Sequence, residues 1–136
     1  MLLDETAIVL AQAMTAALLA ILFLQSGFDK VVDRKGNVEW LTGHFASSPL
    51  AGSVPAMLTV ITVFELLAGA FSAVGVLEIL FTDSRGIATA GALFSAASLV
   101  QLFFGQRIAK DYAGAAVLVP YFLLAILAVL LFRLPG

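Results

Sequence analysis

The stretch that decides the fold is LTVITVFELLAGAFSAVGVL, residues 58–77, which has the length of a membrane span. A bilayer core about 30 Å thick requires roughly 20 helical residues to cross it. Nineteen of these twenty residues are apolar, small or hydroxylic, and the exception is the carboxylate of Glu65. The run therefore predicts a transmembrane helix that carries one ionisable side chain inside the hydrocarbon.

The composition of the whole chain agrees with a membrane protein. Hydrophobic residues make up 62% of the 136 residues and charged residues only 12%, whereas soluble domains are nearer half apolar and a quarter charged. The net charge of −2 provides no basic face for nucleic acid, so we expect no nucleic-acid partner. The chain has no cysteine and one histidine, His44, so we predict no thiolate or multi-histidine metal site within one copy.

Four stretches of the chain are long and apolar enough to cross a bilayer. Their approximate bounds are residues 7–28, 55–80, 86–106 and 112–132. Each run is continuously apolar rather than alternating, which favours helices over the strands of a membrane barrel. We therefore predict an all-α fold, an integral membrane four-helix bundle that forms a single transmembrane domain over residues 1–136.

The connection between the first two spans, residues 29–54, is the only long one. Asn37 is a suitable N-cap and Glu39 suits a first helical turn. Apolar residues recur at helical spacing after Asn37, which predicts a short amphipathic interfacial helix over about residues 38–46. Pro55 suits the first turn of the second span, where its missing N–H is not needed.

The distribution of basic residues near the span ends predicts the orientation. Loops one and three together carry five basic residues and the opposite side carries two: Lys30, Arg34, Lys35, Arg107 and Lys110 against Arg85 and Arg133. This bias favours cytoplasmic loops one and three in a multi-pass protein of the cell's inner (plasma) membrane.

Glu65 belongs to a helical face made of small and polar residues. That face comprises Thr62, Glu65, Ala68, Gly69, Ser72 and Gly75. Small residues allow another helix to approach closely, so this face should point into the protein and away from lipid. A charge near the bilayer centre costs at least ~2.5 kcal/mol, so Glu65 must be protonated, paired or hydrated. Tyr121 lies at a similar depth and is one candidate partner, and Lys30 is another.

Most of the remaining polar side chains should lie at the end of the bundle that carries loops one and three. They include Gln25, Asp29, Lys30, His44, Gln101, Gln106, Asp111 and Tyr112. We predict a polar crevice there, with Glu65 and Asp111 as catalytic candidates and Gln25, Lys30, Gln101 and Tyr121 as cofactor-binding candidates. Structural alternatives stay open, since Lys30 also suits a snorkelling anchor and Asp111 a helix start.

Three segments together resemble the DoxX family of small four-span membrane proteins. They are FLQSGFDKVVD at residues 23–33, FELLAGAFSAVG at 64–75 and KDYAG at 110–114. The likeness extends over about residues 17–131, and the matching positions are Gly27, Lys30, Glu65, Gly69 and Asp111. The resemblance implies a four-helix membrane bundle. It also implies a place in quinone-linked or oxidative-stress redox systems, because the DoxD branch is a subunit of a thiosulfate:quinone oxidoreductase.

Two functions agree with these features. The first is a redox-linked membrane subunit in which polar side chains hold a quinone head group and Glu65 handles its protons. Because the chain has no built-in electron carrier, a redox partner protein or the quinone itself would take the electrons. The second is a non-catalytic membrane anchor, assembly factor or binder of a small ligand or lipid, and a homo-oligomer stays open. A proton-coupled transporter ranks below both, since polar residues line only one half of the bilayer.

Overall fold

The computed structural model describes the backbone of residues 2–135 and the side chains of residues 4–135. The helices are α1 (Leu2–Val32), α2 (Arg34–His44), α3 (Val54–Phe81), α4 (Gly86–Ile108) and α5 (Tyr112–Leu131), and a single 3₁₀ turn (Ala51–Ser53) precedes α3. No strand occurs within the described residues, so the all-α prediction is confirmed. Four helices, α1, α3, α4 and α5, are long and apolar enough to cross a membrane.

The first connection differs in detail from the prediction. α1 continues to Val32 and α2 begins at Arg34, because Asp33 ends one helix and caps the next. The Asp33 carboxylate accepts a hydrogen bond from the backbone N–H of Gly36 at 3.2 Å. The prediction that Asn37 is the N-cap was wrong, since its side chain lies inside α2 and donates to the Asp33 carbonyl at 2.8 Å. Aspartate and asparagine both cap well, and the apolar pattern that begins at residue 38 favoured Asn37 over Asp33.

The four long helices pack in sequence, α1 on α3, α3 on α4 and α4 on α5. α1 also touches α4 and α5, whereas α5 is peripheral. Only 17% of the most apolar window of α5 is buried, compared with 33–39% in the other three helices. A helix that is apolar on all sides and mostly uncovered is suited to a lipid environment.

The predicted small face of α3 is confirmed as its buried face. Its members, Thr62, Glu65, Ala68, Gly69, Ser72 and Gly75, are all buried. A Cβ added at Gly69 would lie 2.8 Å from the backbone nitrogen of Leu24 in α1, and one added at Gly91 of α4 would lie 2.7 Å from the backbone nitrogen of Ser72. Both neighbours of α3 therefore approach it at backbone contact, as expected for small residues between membrane helices.

The turn between α3 and α4 is fixed by a buried carboxylate. Glu78 accepts hydrogen bonds from the backbone N–H groups of Ile87 at 3.1 Å and Ala88 at 2.9 Å. It also accepts one from the hydroxyl of Ser84 at 2.8 Å. Glu78 thus satisfies N–H groups at the start of α4 that have no partner within the helix.

Gln12 holds the first and last helices together at the same end. Its amide group donates to the carbonyls of Leu131 at 2.9 Å and Leu134 at 3.1 Å. Its carbonyl oxygen accepts from Nε of Arg85 at 2.9 Å. We call this the closed end of the molecule, because its buried polar groups, Gln12 and Glu78, have partners within the protein.

Candidate functional site

A cavity of about 590 Å³ lies at the opposite end, between α2 and the adjoining ends of α3 and α4. Most of its wall consists of apolar side chains, and Leu118 of α5 completes it. Its polar lining residues are Lys30, Asn37, Trp40, His44, Gln101 and Gln106. A volume of this size with a mainly apolar wall and few polar groups is typical of a small-molecule site. We call it the α2 cavity.

Glu65 is buried and forms an ion pair with Lys30. The distance from Nζ of Lys30 to Oε1 of Glu65 is 2.8 Å, and the Glu65 side chain is only 2% exposed. Lys30 also donates to the hydroxyl of Ser26 at 2.8 Å. Glu65 is the twelfth residue of α3, so it lies about 16 Å along the axis from the start of that helix. The prediction that Glu65 faces inward is confirmed, and the partner shown by the structure is Lys30 rather than Tyr121.

The contact between these two side chains is electrostatic. Oε1 of Glu65 accepts no hydrogen bond from the described residues, although the ammonium of Lys30 is close to it. Lys30 also lines the α2 cavity, whereas Glu65 does not. Lys30 is therefore the residue that connects the buried carboxylate to the cavity.

His44 attaches the end of α2 to α4 and α5. Its Nε2 lies 2.6 Å from Oε1 of Gln106 and 3.7 Å from Oδ2 of Asp111. When the ring proton is on Nε2, His44 donates it to Gln106. The ring also stacks on Trp40, with 4.6 Å between the ring centroids. These contacts place two aromatic side chains against the cavity.

The beginning of α2 is held separately. Arg34 donates from Nη2 to the hydroxyl of Thr59 at 2.8 Å and to the carbonyl of Pro55 at 3.2 Å. None of the eleven described residues of α2 is buried. Polar and ring contacts at its two ends, rather than a buried apolar face, therefore keep α2 over the cavity.

The sequence-predicted site residues separate into two groups. Lys30 and Gln101 line the α2 cavity, with Glu65 directly behind Lys30. Gln25 and Tyr121 are exposed and do not line the cavity. Gln25 precedes Lys30 by five residues, which places it about 140° around α1 from the cavity side. A ligand-contacting role for any of these residues stays a prediction.

Asp111 lies beside the cavity rather than in its lining. Its Oδ1 accepts from the backbone N–H of Gly114 at 2.9 Å, so it is the N-cap of α5. Its other oxygen approaches His44. Asp111 thus fixes the start of α5 and helps to position α2. The helix-start role that the sequence left open for this residue is the one seen in the structure.

Sequence reasoning did not select Trp40, His44 and Gln106 as site residues, yet all three line the α2 cavity. Trp40 and His44 are four residues apart, so they share one face of α2. That spacing was the available signal. Gln106 was expected at this end of the bundle, but its contact with a histidine 62 residues earlier in the chain leaves no local signal.

Comparisons with protein-family models, with characterised proteins and with solved structures found no match for this chain. The features of this chain that bear on function are the α2 cavity, the Lys30–Glu65 pair and the side chains around them.

Proposed function

We propose that this chain is a DoxX-like integral membrane four-helix bundle that binds a quinone-like ligand in the α2 cavity, as the membrane subunit of a quinone-linked or oxidative-stress redox system. In this proposal α1, α3, α4 and α5 cross the inner membrane and α2 lies at its surface, on the cytoplasmic side. The observation that carries the proposal is the α2 cavity, with its apolar wall and a small set of polar side chains.

The chemistry of the cavity suits a quinone-like ligand. A quinone has an apolar ring and tail that need an apolar slot, and two oxygens that need hydrogen-bond donors. Lys30, Gln101 and Gln106 carry N–H donors and line the same cavity as Trp40. Apolar walls with a few donors are the usual arrangement in sites for ligands of this size.

The electrons would come from outside the chain. With no cysteine and one histidine, this chain cannot ligate an iron–sulfur cluster or a bis-histidine haem by itself. A partner oxidoreductase would therefore reduce or oxidise the ligand, and this chain would hold the ligand and supply polar contacts. Loss of turnover in the assembled complex of the Glu65→Gln variant would support a role for the buried carboxyl in proton handling.

The proposal can be tested with the fluorescence of Trp40, the only tryptophan in the sequence. Because Trp40 lines the cavity, a bound quinone should quench its emission. A short-chain quinone is titrated into the purified protein in lipid nanodiscs. We expect saturable quenching, and about tenfold weaker binding in Gln101→Leu, which removes one donor from the cavity and costs about 1.4 kcal/mol.

Gln25→Leu is the matched control for this titration. It makes the same chemical change on an exposed residue outside the cavity, so its affinity should equal that of the unchanged protein. Quenching that rises linearly with quinone and is identical in all three proteins would indicate partition into lipid and would refute the proposed site.

A non-catalytic membrane anchor or lipid binder is the second candidate. The observation that favours it is that the Lys30–Glu65 pair joins α1 to α3, which is what an adhesive contact would do. If most of the Glu65→Gln protein is unfolded, while the fraction that folds still binds the quinone, the adhesive role is supported. A correctly folded Glu65→Gln variant that has lost turnover with its partner supports the redox role instead.

A further inference from the structure

The charges that line the α2 cavity are of one sign. Among its described lining residues Lys30 is the only one with a full charge, and neither aspartate nor glutamate occurs there. The other polar lining residues, Asn37, Trp40, His44, Gln101 and Gln106, all carry N–H groups that can donate hydrogen bonds. Such a cavity favours a ligand with acceptor oxygens, and most of all an anionic oxygen.

Lys30 has a donor left for that ligand. An ammonium group has three N–H donors. In the structure the hydroxyl of Ser26 accepts one of them at 2.8 Å, and Oε1 of Glu65 lies 2.8 Å from Nζ as the ion-pair partner. Because Lys30 lines the cavity, a remaining donor can serve a ligand bound there.

An anion bound to Lys30 would disturb the charge balance of the Lys30–Glu65 pair. The pair is neutral as a unit, and a second anion would leave a net negative charge beside Glu65, whose side chain is only 2% exposed. Buried charge without compensation is costly. Protonation of Glu65 removes that charge, and Oε1 is free of hydrogen bonds from the described residues.

The other charged groups near the pair are few and lie at its solvent side. Asp29, Asp33 and Arg34 are exposed at the junction of α1 and α2. Across the cavity His44 of α2 faces Gln106 and Asp111. The lining of the cavity from α4 and α5 contains no titratable side chain among the described residues. Glu65 is therefore the buried acid that stands next to the ligand's charge.

We propose that the α2 cavity binds its amphiphilic ligand in the anionic form, with a phenolate-type oxygen on Lys30, and that Glu65 takes up one proton from solution as the ligand binds. The balance is a Lys30 cation, a Glu65 anion, a ligand anion and a proton before binding, and a Lys30 cation, a neutral Glu65 and a ligand anion afterwards. This inference rests on the proposed function, since it names the charge state of the quinone-like ligand.

The test uses an alkylated hydroxynaphthoquinone, which is acidic, and its methyl ether, which cannot ionise. Each is added to the unchanged protein in nanodiscs. The visible spectrum reports whether the bound hydroxy compound is the anion, a pH-indicator dye reports proton uptake, and infrared difference spectra report a new carboxylic-acid carbonyl band. We expect the anion spectrum, one proton taken up per bound ligand, and the new band. Above the pKa of the ligand, affinity should fall about tenfold per pH unit.

Three variants assign these signals to residues. Glu65→Gln should bind the anion without proton uptake, without the infrared band and without the pH dependence. Lys30→Met should lose at least about tenfold in affinity for the anion and should lose less for the methyl ether, which carries no charge. Glu39→Gln, which removes an exposed carboxylate of α2, is the control and should behave as the unchanged protein.

The outcomes distinguish this inference from the function on which it rests. If both compounds bind but the hydroxy compound is bound in neutral form, or binds as the anion without proton uptake, the inference is overturned and the proposed function stands. If neither compound binds, the proposed function fails and the inference falls with it. Should Glu65→Gln fail to fold, the dye, visible and infrared measurements on the unchanged protein still decide.

Discussion

Removing the ammonium of Lys30 should destabilise the protein by an amount that depends on pH. In the Lys30→Met variant Glu65 would stay 2% exposed but would lose the cation that lies 2.8 Å from it. A buried charge left without its partner costs roughly 3–5 kcal/mol. The folded variant can limit this cost by protonating the carboxyl group. For an ordinary glutamate near neutral pH, protonation costs roughly 3–4 kcal/mol.

The expected loss in free energy of unfolding is therefore about 3–4 kcal/mol near neutral pH, and about 1 kcal/mol at a pH two units lower. The sign follows from proton linkage. The folded variant holds a proton that the unfolded chain releases, so the stability of the variant falls as pH rises above the pKa of a free glutamate. Denaturation in mixed micelles, followed by Trp40 emission at several pH values, measures the effect.

The double variant Lys30→Met/Glu65→Met is the control for this reasoning. It replaces both charges with apolar side chains of similar size, a change that is often neutral in buried ion pairs. We expect it to regain stability to within about 1 kcal/mol of the unchanged protein and to lose the pH dependence. A single-variant loss that is the same at all pH values, or a double variant no more stable than the single one, would refute the account.

Three further changes test other parts of the fold. Gly69→Val should lower the free energy of unfolding by about 1–3 kcal/mol, because a Cβ there meets a backbone nitrogen of α1 at 2.8 Å. Gly52→Ala is its control, since a Cβ added there meets no atom within 4 Å. Equal stabilities of the two variants would contradict close packing at Gly69. Glu78→Gln should cost about 1–3 kcal/mol in the same denaturation assay, since the charged acceptor of the α4 N–H groups is lost; a change below about 0.5 kcal/mol would contradict that role. His44→Ala should speed hydrogen exchange in α2 and shift Trp40 emission, while unchanged exchange would show that α2 does not depend on this contact.

The position of Glu65 could be predicted from sequence because its helix repeats small residues at every third or fourth position. That pattern fixes which face is buried, and the buried face carries the carboxylate. The partner was harder to predict, because Lys30 and Tyr121 both lie at a compatible depth. The choice between them depends on the reach of each side chain and on which helices are neighbours. α1 packs extensively on α3, whereas α5 packs on α4, so the lysine of α1 forms the pair.

The α2 cavity could not be predicted from sequence in the same way. Its shape depends on where α2 lies, and none of the described residues of α2 is buried. Two long-range contacts, from Arg34 to Thr59 and from His44 to Gln106, hold it instead, together with the buried Phe45 at its C-cap. Such contacts leave no periodic signal, because each involves single residues far apart in the chain.

Two buried glutamates on the same helix illustrate why only one is expected to respond to a ligand. Glu78 is 8% exposed and accepts hydrogen bonds from two backbone N–H groups and one hydroxyl. Donors of this kind stabilise the ionised form, and the two backbone donors belong to the first turn of α4. Glu65 depends on the ammonium of one side chain, Lys30, and its Oε1 accepts no hydrogen bond from the described residues. A ligand that competes for Lys30 therefore acts on Glu65 alone, so its infrared change should vanish in Glu65→Gln and persist in Glu78→Gln.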